Sequence, residues 1–345
     1  MSEIRIGIVG LGWVSEAHIL ALKAAEGVKV TAICSSHNPS PAELEERFGI
    51  PLKVYTNLQD MLSDSTIDAV TICTANMLHA QQTIAALEAG KHVYIEKPIA
   101  LSYEDAKAIR AAVIKSGKTV CVGFELRFSQ QLNLLVSVLD KGLIGELSYG
   151  EADYYHGIGA WYGQFRWSRL ASGGGSALLS AGCHAMDSLL YLMRSPVEEV
   201  TSYSTKSKAE CYAGYEFDPC SVTIMKFADG KVGKCAACID CIQPYYFHFQ
   251  LVGSKGSILD NKLYSSELEG LSKARWTTLE TTTLDSGDVL DHPYNPQMQA
   301  FVNAIQNHQP MPKSDFESAF QTHKVIYAAD MSAKLGRPVK LSELD

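Results

Sequence analysis

Short apolar runs rich in β-branched residues alternate with stretches of helical periodicity over the first third of the chain, at residues 4–9, 28–34, 53–55, 69–74, 92–95 and 119–124. Strands that alternate with helices are the pattern of parallel βαβ units, so this segment is expected to form a doubly wound α/β sheet. Helix punctuation agrees. Ser102 stands where an N-cap belongs, and Gly90 and Gly117 stand where helices stop. After Phe124 the rhythm changes: a helical pattern over 129–141 precedes long alternating runs at 147–156, 197–203, 220–227, 231–242, 245–252 and 257–263. Turn signals at Asp229-Gly230 and Ser254-Lys255-Gly256 join consecutive runs, which predicts a mostly antiparallel sheet. Two helical patterns, 296–307 and 315–335, close the chain. A single boundary after Phe124 divides it into expected domains of residues 1–124 and 125–345.

Composition narrows the function classes. A length of 345 residues exceeds one ordinary core, and 46% hydrophobic with 20% charged residues excludes wholesale disorder. The formal charge of −8 disfavours electrostatic capture of nucleic acid or an anionic membrane surface. Only −2 of it falls in residues 1–124, and no basic cluster is evident beyond Lys97, Arg127 and Arg166, so a neutral polyhydroxy ligand is favoured over an anionic one. No apolar stretch approaches the roughly 20 residues of a membrane span. The opening Met1-Ser2-Glu3-Ile4-Arg5 lacks the features of a signal peptide, and nine cysteines scattered along the chain do not read as a secreted disulfide framework, so a cytoplasmic location is expected. Cys235, Cys238 and Cys241 would share one side only on a helix. In the second arm of a hairpin they read as buried thiols of a sheet, and no metal site is expected.

The first apolar run empties into Gly10-Leu11-Gly12-Trp13-Val14-Ser15, followed by a helical pattern. A Gly-x-Gly turn between strand and helix lets the backbone approach a pyrophosphate, and the helix N-terminus supplies N–H groups and a positive dipole end. Ser15 replaces the third glycine of the strict fingerprint. The second run ends in Cys34-Ser35-Ser36-His37-Asn38, with no carboxylate to hold an adenosine ribose. Small hydroxyls there leave room for a 2′-phosphate, which leans the expectation from NAD toward NADP, although no arginine is present to pair with one.

Glu96-Lys97-Pro98 follows the fifth run, and the carboxyl end of a strand in such a sheet is where ligand meets cofactor. A surface lysine in a loop is the plain alternative, and Pro98 could be cis. A second constellation runs from Gly173 to Asp187, where glycines lead into an apolar helical pattern. Spacings of four and three would put Ser180, His184 and Asp187 on one helical face.

These segments resemble the Gfo/Idh/MocA family, which includes glucose-fructose oxidoreductase, inositol dehydrogenase and the rhizopine catabolism oxidoreductases. The resemblance spans nearly the whole chain. It rests on the glycine loop with His18 after it, Thr74-Ala75-Asn76 to His79, Glu96-Lys97-Pro98, Gly123-Phe124 to Arg127-Phe128, the glycine run with His184, Gly253-Ser254-Lys255-Gly256 and Gly336-Arg337-Pro338-Val339. It implies an N-terminal Rossmann domain and a C-terminal α+β domain with a large, mostly antiparallel open-faced sheet. It further implies NAD or NADP as cofactor and a homodimer or homotetramer formed through that sheet.

Under the resemblance Lys97 and His184 are the catalytic pair, exchanging hydride and proton at a secondary hydroxyl of a sugar, glycoside or cyclitol. The cofactor contacts implied are Gly10, Gly12, Trp13, Val14, Ser35, Ser36, His37, Thr74, Asn76, His79, Glu96 and Lys97. The substrate contacts are Lys97, Glu125, Arg127, Tyr155, Trp161, Arg166, Ser180 and His184, with Tyr154, His156, Tyr162, Phe165 and Trp167 in the same aromatic segment. Glu125 and Arg127 could instead pair with one another. The family's usual aspartate four residues before the histidine is Ser180 here, which removes a carboxylate that would stabilise an imidazolium. Asp187 is expected to be structural. A non-catalytic dinucleotide-binding sensor of the same fold stays open as the alternative to an enzyme.

Overall fold

The computed structural model describes residues 3–283 and 287–345. In chain order its elements are β1 (Ile4–Val9), α1 (Trp13–Ala24), β2 (Val28–Cys34), α2 (Pro41–Phe48), β3 (Lys53–Tyr55), α3 (Leu58–Leu62), β4 (Ala69–Ile72), α4 (His79–Glu88), β5 (His92–Ile95), α5 (Tyr103–Ser116) and β6 (Val120–Val122). Then come α6 (Gln130–Asp140), β7 (Leu147–Tyr155), α7 (Phe165–Ser168), α8 (Cys183–Met193), β8 (Val197–Thr205), β9 (Cys220–Phe227), β10 (Val232–Cys238) and β11 (Tyr246–Gly253). The chain closes with β12 (Gly256–Leu259), β13 (Lys262–Ser265), β14 (Thr277–Thr278), α9 (Tyr294–Gln306), α10 (Phe316–Leu335) and β15 (Val339–Lys340).

Two compact units result. The first comprises Met1–Phe128 with Val289–Phe320, the second Ser129–Asp288 with Gln321–Asp345. A single cut after Phe124 misses the return of residues 289–320 to the first unit. The reason is packing: Met298, Phe301, Val302 and Ile305 of α9 join Ile6, Ile19, Leu22 and Tyr94 in one buried cluster. An amphipathic helix far along the chain carries no mark of which sheet it will cover.

In the first unit the six strands run parallel in the order β3-β2-β1-β4-β5-β6. The order reverses between β2-β1 and β4, and ligands bind at such a switch point beyond the carboxyl ends of the strands. Central strands are apolar on both faces, as a sheet covered on both sides requires. Helix α5 is capped as its sequence predicts, with Asp105 N–H donating to Ser102 Oγ at 3.1 Å and Gly117 in the left-handed region.

The second unit holds a nine-stranded sheet in the order β14-β13-β12-β11-β7-β10-β9-β8-β15. Pairing is antiparallel except between β7 and β10, which are parallel. Sequence adjacency predicts hairpins and could not foresee that long-range pair. Helix α8 covers one face: a Cβ on Gly150 of β7 would run into Met193 and Leu189, and one on Gly182 into Ala237 of β10. On the other face lie Tyr203, Val222, Ile224, Val232 and Tyr246, all exposed. The run 257–263 is two strands, because Asp260 takes φ 54° in the turn that pairs Leu259 with Lys262, and its carboxylate, accepting from Phe249 N–H at 3.0 Å, ties that turn to β11. The run 231–242 ends early as well. Of its three cysteines only Cys235 is buried; Cys238 is half-buried at the strand's end and Cys241 lies beyond it. Among the described residues no helix is long and apolar enough to cross a membrane.

Candidate active site

The first unit builds a cofactor cradle at the end of β1. Gly10 takes φ 99°, and a Cβ there would lie 2.9 Å from the Cys73 carbonyl oxygen, so the loop closes only around glycine. Gly12 is the N-cap of α1 and carries no side-chain cap, which leaves the helix entrance to an anion. Ser15 is buried and its hydroxyl donates to Gly12 O at 2.6 Å, so the departure from the third glycine tightens the loop. The acidic residue of the first turn, Glu16, is turned to Arg47 at 2.6 Å. This cradle fits a dinucleotide pyrophosphate. Trp13 is exposed and Val14 half-buried at its mouth.

Around the cradle the other candidates divide by exposure. Ser35 is buried and accepts from His37 N–H at 3.2 Å, while Ser36 and His37 are exposed at the end of β2. Thr74 Oγ1 donates to Gln82 Oε1 at 2.5 Å, and Asn76 is buried at the head of a short 3-10 turn. His79 is buried with Nδ1 2.7 Å from Pro98 O and Nε2 3.0 Å from Thr74 O. Burial lowers its pKa, and a neutral ring can donate to only one of these carbonyls at a time. His79 therefore ties the loop after β4 to the turn that carries Lys97.

That turn is held from beneath by a group that sequence reading quoted but could not connect. Glu96 is buried at the end of β5, and its Oε1 lies 2.9 Å from His18 Nε2 of α1. Its Oε2 accepts the N–H of Lys97 at 3.2 Å. The other nitrogen of His18 lies 3.2 Å from Cys73 Sγ, and Tyr94 and Tyr294 flank the ring. The Lys97–Pro98 peptide is cis, and the Lys97 side chain is half-buried.

Burial works against the charged imidazolium of His18, but Cys73 and Glu96 outweigh it and raise the pKa to about 10. Burial likewise works to raise Glu96, but the hydrogen bond and charge of His18, followed by the charge of Lys97, hold it below the usual range. A buried pair arranged in this way fixes geometry, and removing one partner is costly.

Glu125 and Arg127 occupy a buried 3-10 turn after β6. Both reach partners in the returning segment 289–320. Glu125 Oε1 lies 2.9 Å from His292 Nδ1, and Arg127 donates to Ser318 Oγ at 2.7 Å and to Lys313 O. Neither the expected substrate contact nor the alternative that the two pair with one another anticipated these partners, 167 and 191 residues away.

In the second unit His184 is buried as the second residue of α8. The preceding residues Leu178–Gly182 form a π-helical turn, so counting at 3.6 residues per turn from Ser180 does not hold. Ser180 is half-buried, its N–H donating to Ser176 O at 2.8 Å. Asp187 accepts from Thr322 Oγ1 at 2.8 Å, which anchors α8 to α10. Strand alternation separates the two tyrosines of β7. Tyr154 lies on the face covered by α8, whereas Tyr155 lies on the open face, 6.2 Å from Tyr246 and stacked on it. Tyr155 thus stands on the opposite face from His184, against the expectation that it lines the pocket with it. Three members of the expected aromatic segment do come together: the His156 ring lies 2.9 Å from the Tyr154 hydroxyl and 3.0 Å from that of Tyr162, and Tyr245, which the sequence reading did not include, meets it edge-on. Trp161 is exposed and tilted over Tyr212, and Arg166 is exposed on α7. Among the described residues no group of His, Cys, Asp and Glu has the arrangement of a metal site.

The buried pair has a pH signature. Glu96, held below its ordinary 4.5, contributes stability that is present above pH 4.5 and lost on acidification through its folded value. His18, raised above 6.5, contributes stability that is present below pH 6.5 and lost as the pH rises through its folded value. Glu96→Gln is expected to cost about 3 kcal/mol by urea unfolding. The gap to wild type should be widest between pH 4.5 and 6.5 and narrow on either side; a gap that is flat with pH would remove the ion pair from the account.

Comparison with known proteins places both units. Residues 4–124 match the family described as an oxidoreductase family with an NAD-binding Rossmann fold, and residues 133–259 match the GFO/IDH/MocA C-terminal domain. D-glucoside 3-dehydrogenase of Escherichia coli (strain K12) is 25% identical over 99% of this chain and 98% of its own length. Myo-inositol 2-dehydrogenase of Thermotoga maritima is 25% identical over 99% of each. Among solved structures, scyllo-inositol dehydrogenase from Lactobacillus casei with bound NAD(H) and scyllo-inositol has a TM-score of 0.80 at 22% identity, covering 99% of this chain and 100% of that one. An oxidoreductase domain protein from Kribbella flavida reaches a TM-score of 0.85 at 21% identity, with 99% and 100% covered. With both domains matched in order, the chain belongs to the Gfo/Idh/MocA family of NAD-binding oxidoreductases.

Proposed function

We propose that this protein is a cytoplasmic dehydrogenase that uses NAD or NADP to oxidise a secondary hydroxyl of a sugar, glycoside or cyclitol, or to reduce the corresponding ketone. The observation that carries the reading is Lys97, set on a turn fixed by Glu96, His18 and His79 beside a glycine cradle suited to a pyrophosphate. The relatives named as glucoside and inositol dehydrogenases support the substrate class. A neutral polyol also suits a chain of net charge −8.

In the proposed mechanism Gly10, Gly12, Trp13 and Val14 would hold the pyrophosphate of a bound dinucleotide, and Thr74, Asn76 and Glu96 would contact the rest of it. When bound, the dinucleotide supplies a hydride acceptor or donor. Lys97 Nζ donates a hydrogen bond to the reacting oxygen and stabilises negative charge that develops on it. His184 takes the hydroxyl proton during oxidation and returns it during reduction. Ser180 in place of a carboxylate favours the neutral imidazole, the form that accepts a proton. Trp161 and Arg166 bind the far side of the substrate, an aromatic face with a polar rim. Glu125, Arg127 and His79 act as positioning residues. A sensor that does not turn over would retain the cradle, but would have no need for both Lys97 and His184.

The open face of the second sheet is proposed as a self-association surface. It exposes Tyr203, Val222, Ile224 and Val232 together, a patch that water tolerates poorly. Sedimentation equilibrium should return a multiple of the 37.7 kDa chain mass; the mass of one chain would remove this element of the reading.

Lys97→Ala and His184→Ala are each expected to lose turnover by about 10²–10⁴-fold while cofactor binding remains measurable by fluorescence titration. Near-normal turnover in either variant removes that residue from the mechanism. Cofactor choice is read separately. The end of β2 has no carboxylate and exposes Ser36 and His37, so NADPH is expected to raise the melting temperature more than an equal concentration of NADH. The opposite ranking assigns NAD, the cofactor named for the Lactobacillus casei relative.

A further inference from the structure

Away from the site described above, three half-exposed thiols gather at the end of the second sheet, just beyond the paired Tyr203 and Val222 and so at the rim of the patch proposed for self-association. Cys220 opens β9 and Cys238 closes β10, and the two stand directly opposite in antiparallel register. The neighbouring rung is hydrogen-bonded, because Ile239 N–H donates to Pro219 O at 2.9 Å. Rungs alternate along an antiparallel ladder, so Cys220 and Cys238 form a non-hydrogen-bonded pair. In such a pair the Cα atoms stand about 4.5 Å apart and the side chains rise together on one face. That separation lies within the roughly 4.4–6.8 Å over which a disulfide forms. Cys34, Cys73, Cys121, Cys183 and Cys235 are by contrast buried.

The surroundings set one thiol apart. Cys238 shares sulfur hydrogen bonds with Cys220 and with Cys241, and its Sγ lies 3.4 Å from Asp240 Oδ1. Cys241 Sγ also lies 3.5 Å from Cys238 O, so its one proton is shared between that oxygen and the Cys238 sulfur. The bond from Cys220, then that from Cys241, hold the Cys238 thiol well below the usual range, while the two donors are pushed up. Burial and the neighbouring sulfur raise the carboxyl of Asp240. Cys238 is the thiol that both of the others reach, and it stands directly opposite Cys220, so Cys238 is the attacking group and Cys220 its resolving partner.

The geometry points to an oxidative modification site in which a small hydroperoxide joins Cys238 to Cys220. The Cys238 thiolate attacks one peroxide oxygen, the O–O bond breaks, and the departing hydroxide takes a proton from solvent. Cys238 is then a sulfenic acid. Cys220 gives up its proton to water, its sulfur attacks the Cys238 sulfur, and the S–O bond breaks as hydroxide leaves and is protonated. For hydrogen peroxide the sum is two thiols oxidised to one disulfide and one peroxide reduced to two waters. A dithiol reductant reverses the bridge by exchange.

The test treats the full-length protein with a small excess of hydrogen peroxide, alkylates the remaining thiols after unfolding, and maps the peptides by fragmentation. The expected product has lost about 2 Da, carries a Cys220–Cys238 bridge, and regains the mass with dithiothreitol. Cys220→Ser is expected to give no bridge but a sulfenic acid on Cys238 that a cyclic dione captures. Cys238→Ser should give neither product, and Cys241→Ser should keep the bridge. An unchanged mass, a bridge from Cys238 to Cys241, or loss of the bridge in Cys241→Ser would overturn the assignment.

Discussion

One buried carboxylate organises the first unit. Glu96 turns one oxygen to His18 of α1 and the other to the main chain of Lys97, while His18 uses its second nitrogen on Cys73 at the end of β4. The helix that begins at the glycine cradle, the loop that packs on Gly10 and the turn that presents Lys97 therefore meet at a single ionised group. In low dielectric a displaced member would leave an uncompensated charge, so the helix, the loop and the turn have little freedom to move independently. Precision of this kind is what a reaction site needs, because effective positioning depends on rigid support beneath the reacting groups. His79 repeats the device on a smaller scale with two carbonyl oxygens.

Much of this was legible in the chain because local rules decide it. Strands β1, β2, β3 and β5 follow the apolar runs residue for residue, and Ser102 and Gly117 bound α5 because capping chemistry is local. The cradle at Gly10 and Gly12 follows from backbone sterics at one turn. What was hidden depends on distance. His18 and Glu96 are 78 residues apart, Glu125 and His292 are 167 apart, and β7 pairs directly with β10 in parallel although β8 and β9 come between them in the chain. Periodicity states which face of an element is apolar, but not which partner will cover it.

The remaining differences have local causes of a subtler kind. A π-helical turn before α8 shifts the phase at Ser180, and no residue type announces such a turn. The pair Tyr154-Tyr155 reads as one aromatic patch in sequence, yet alternation sends the two rings to opposite faces. Asp260 breaks a run that looks continuous because aspartate tolerates the left-handed region and its carboxylate is held by the main chain of β11. The acid excess that disfavours nucleic acid also agrees with a neutral polyhydroxy ligand.

The central claim is that this scaffold moves a hydride to or from a carbon bearing a hydroxyl. Its most direct test is a screen of sugars, glycosides and cyclitols with both nicotinamide cofactors, followed by absorbance at the reduced nicotinamide band. The account predicts substrate-dependent appearance of reduced cofactor with at least one neutral polyol and none with anionic analogues lacking a secondary hydroxyl. Tight cofactor binding without any turnover across the set would contradict it and favour a dinucleotide sensor of the same fold.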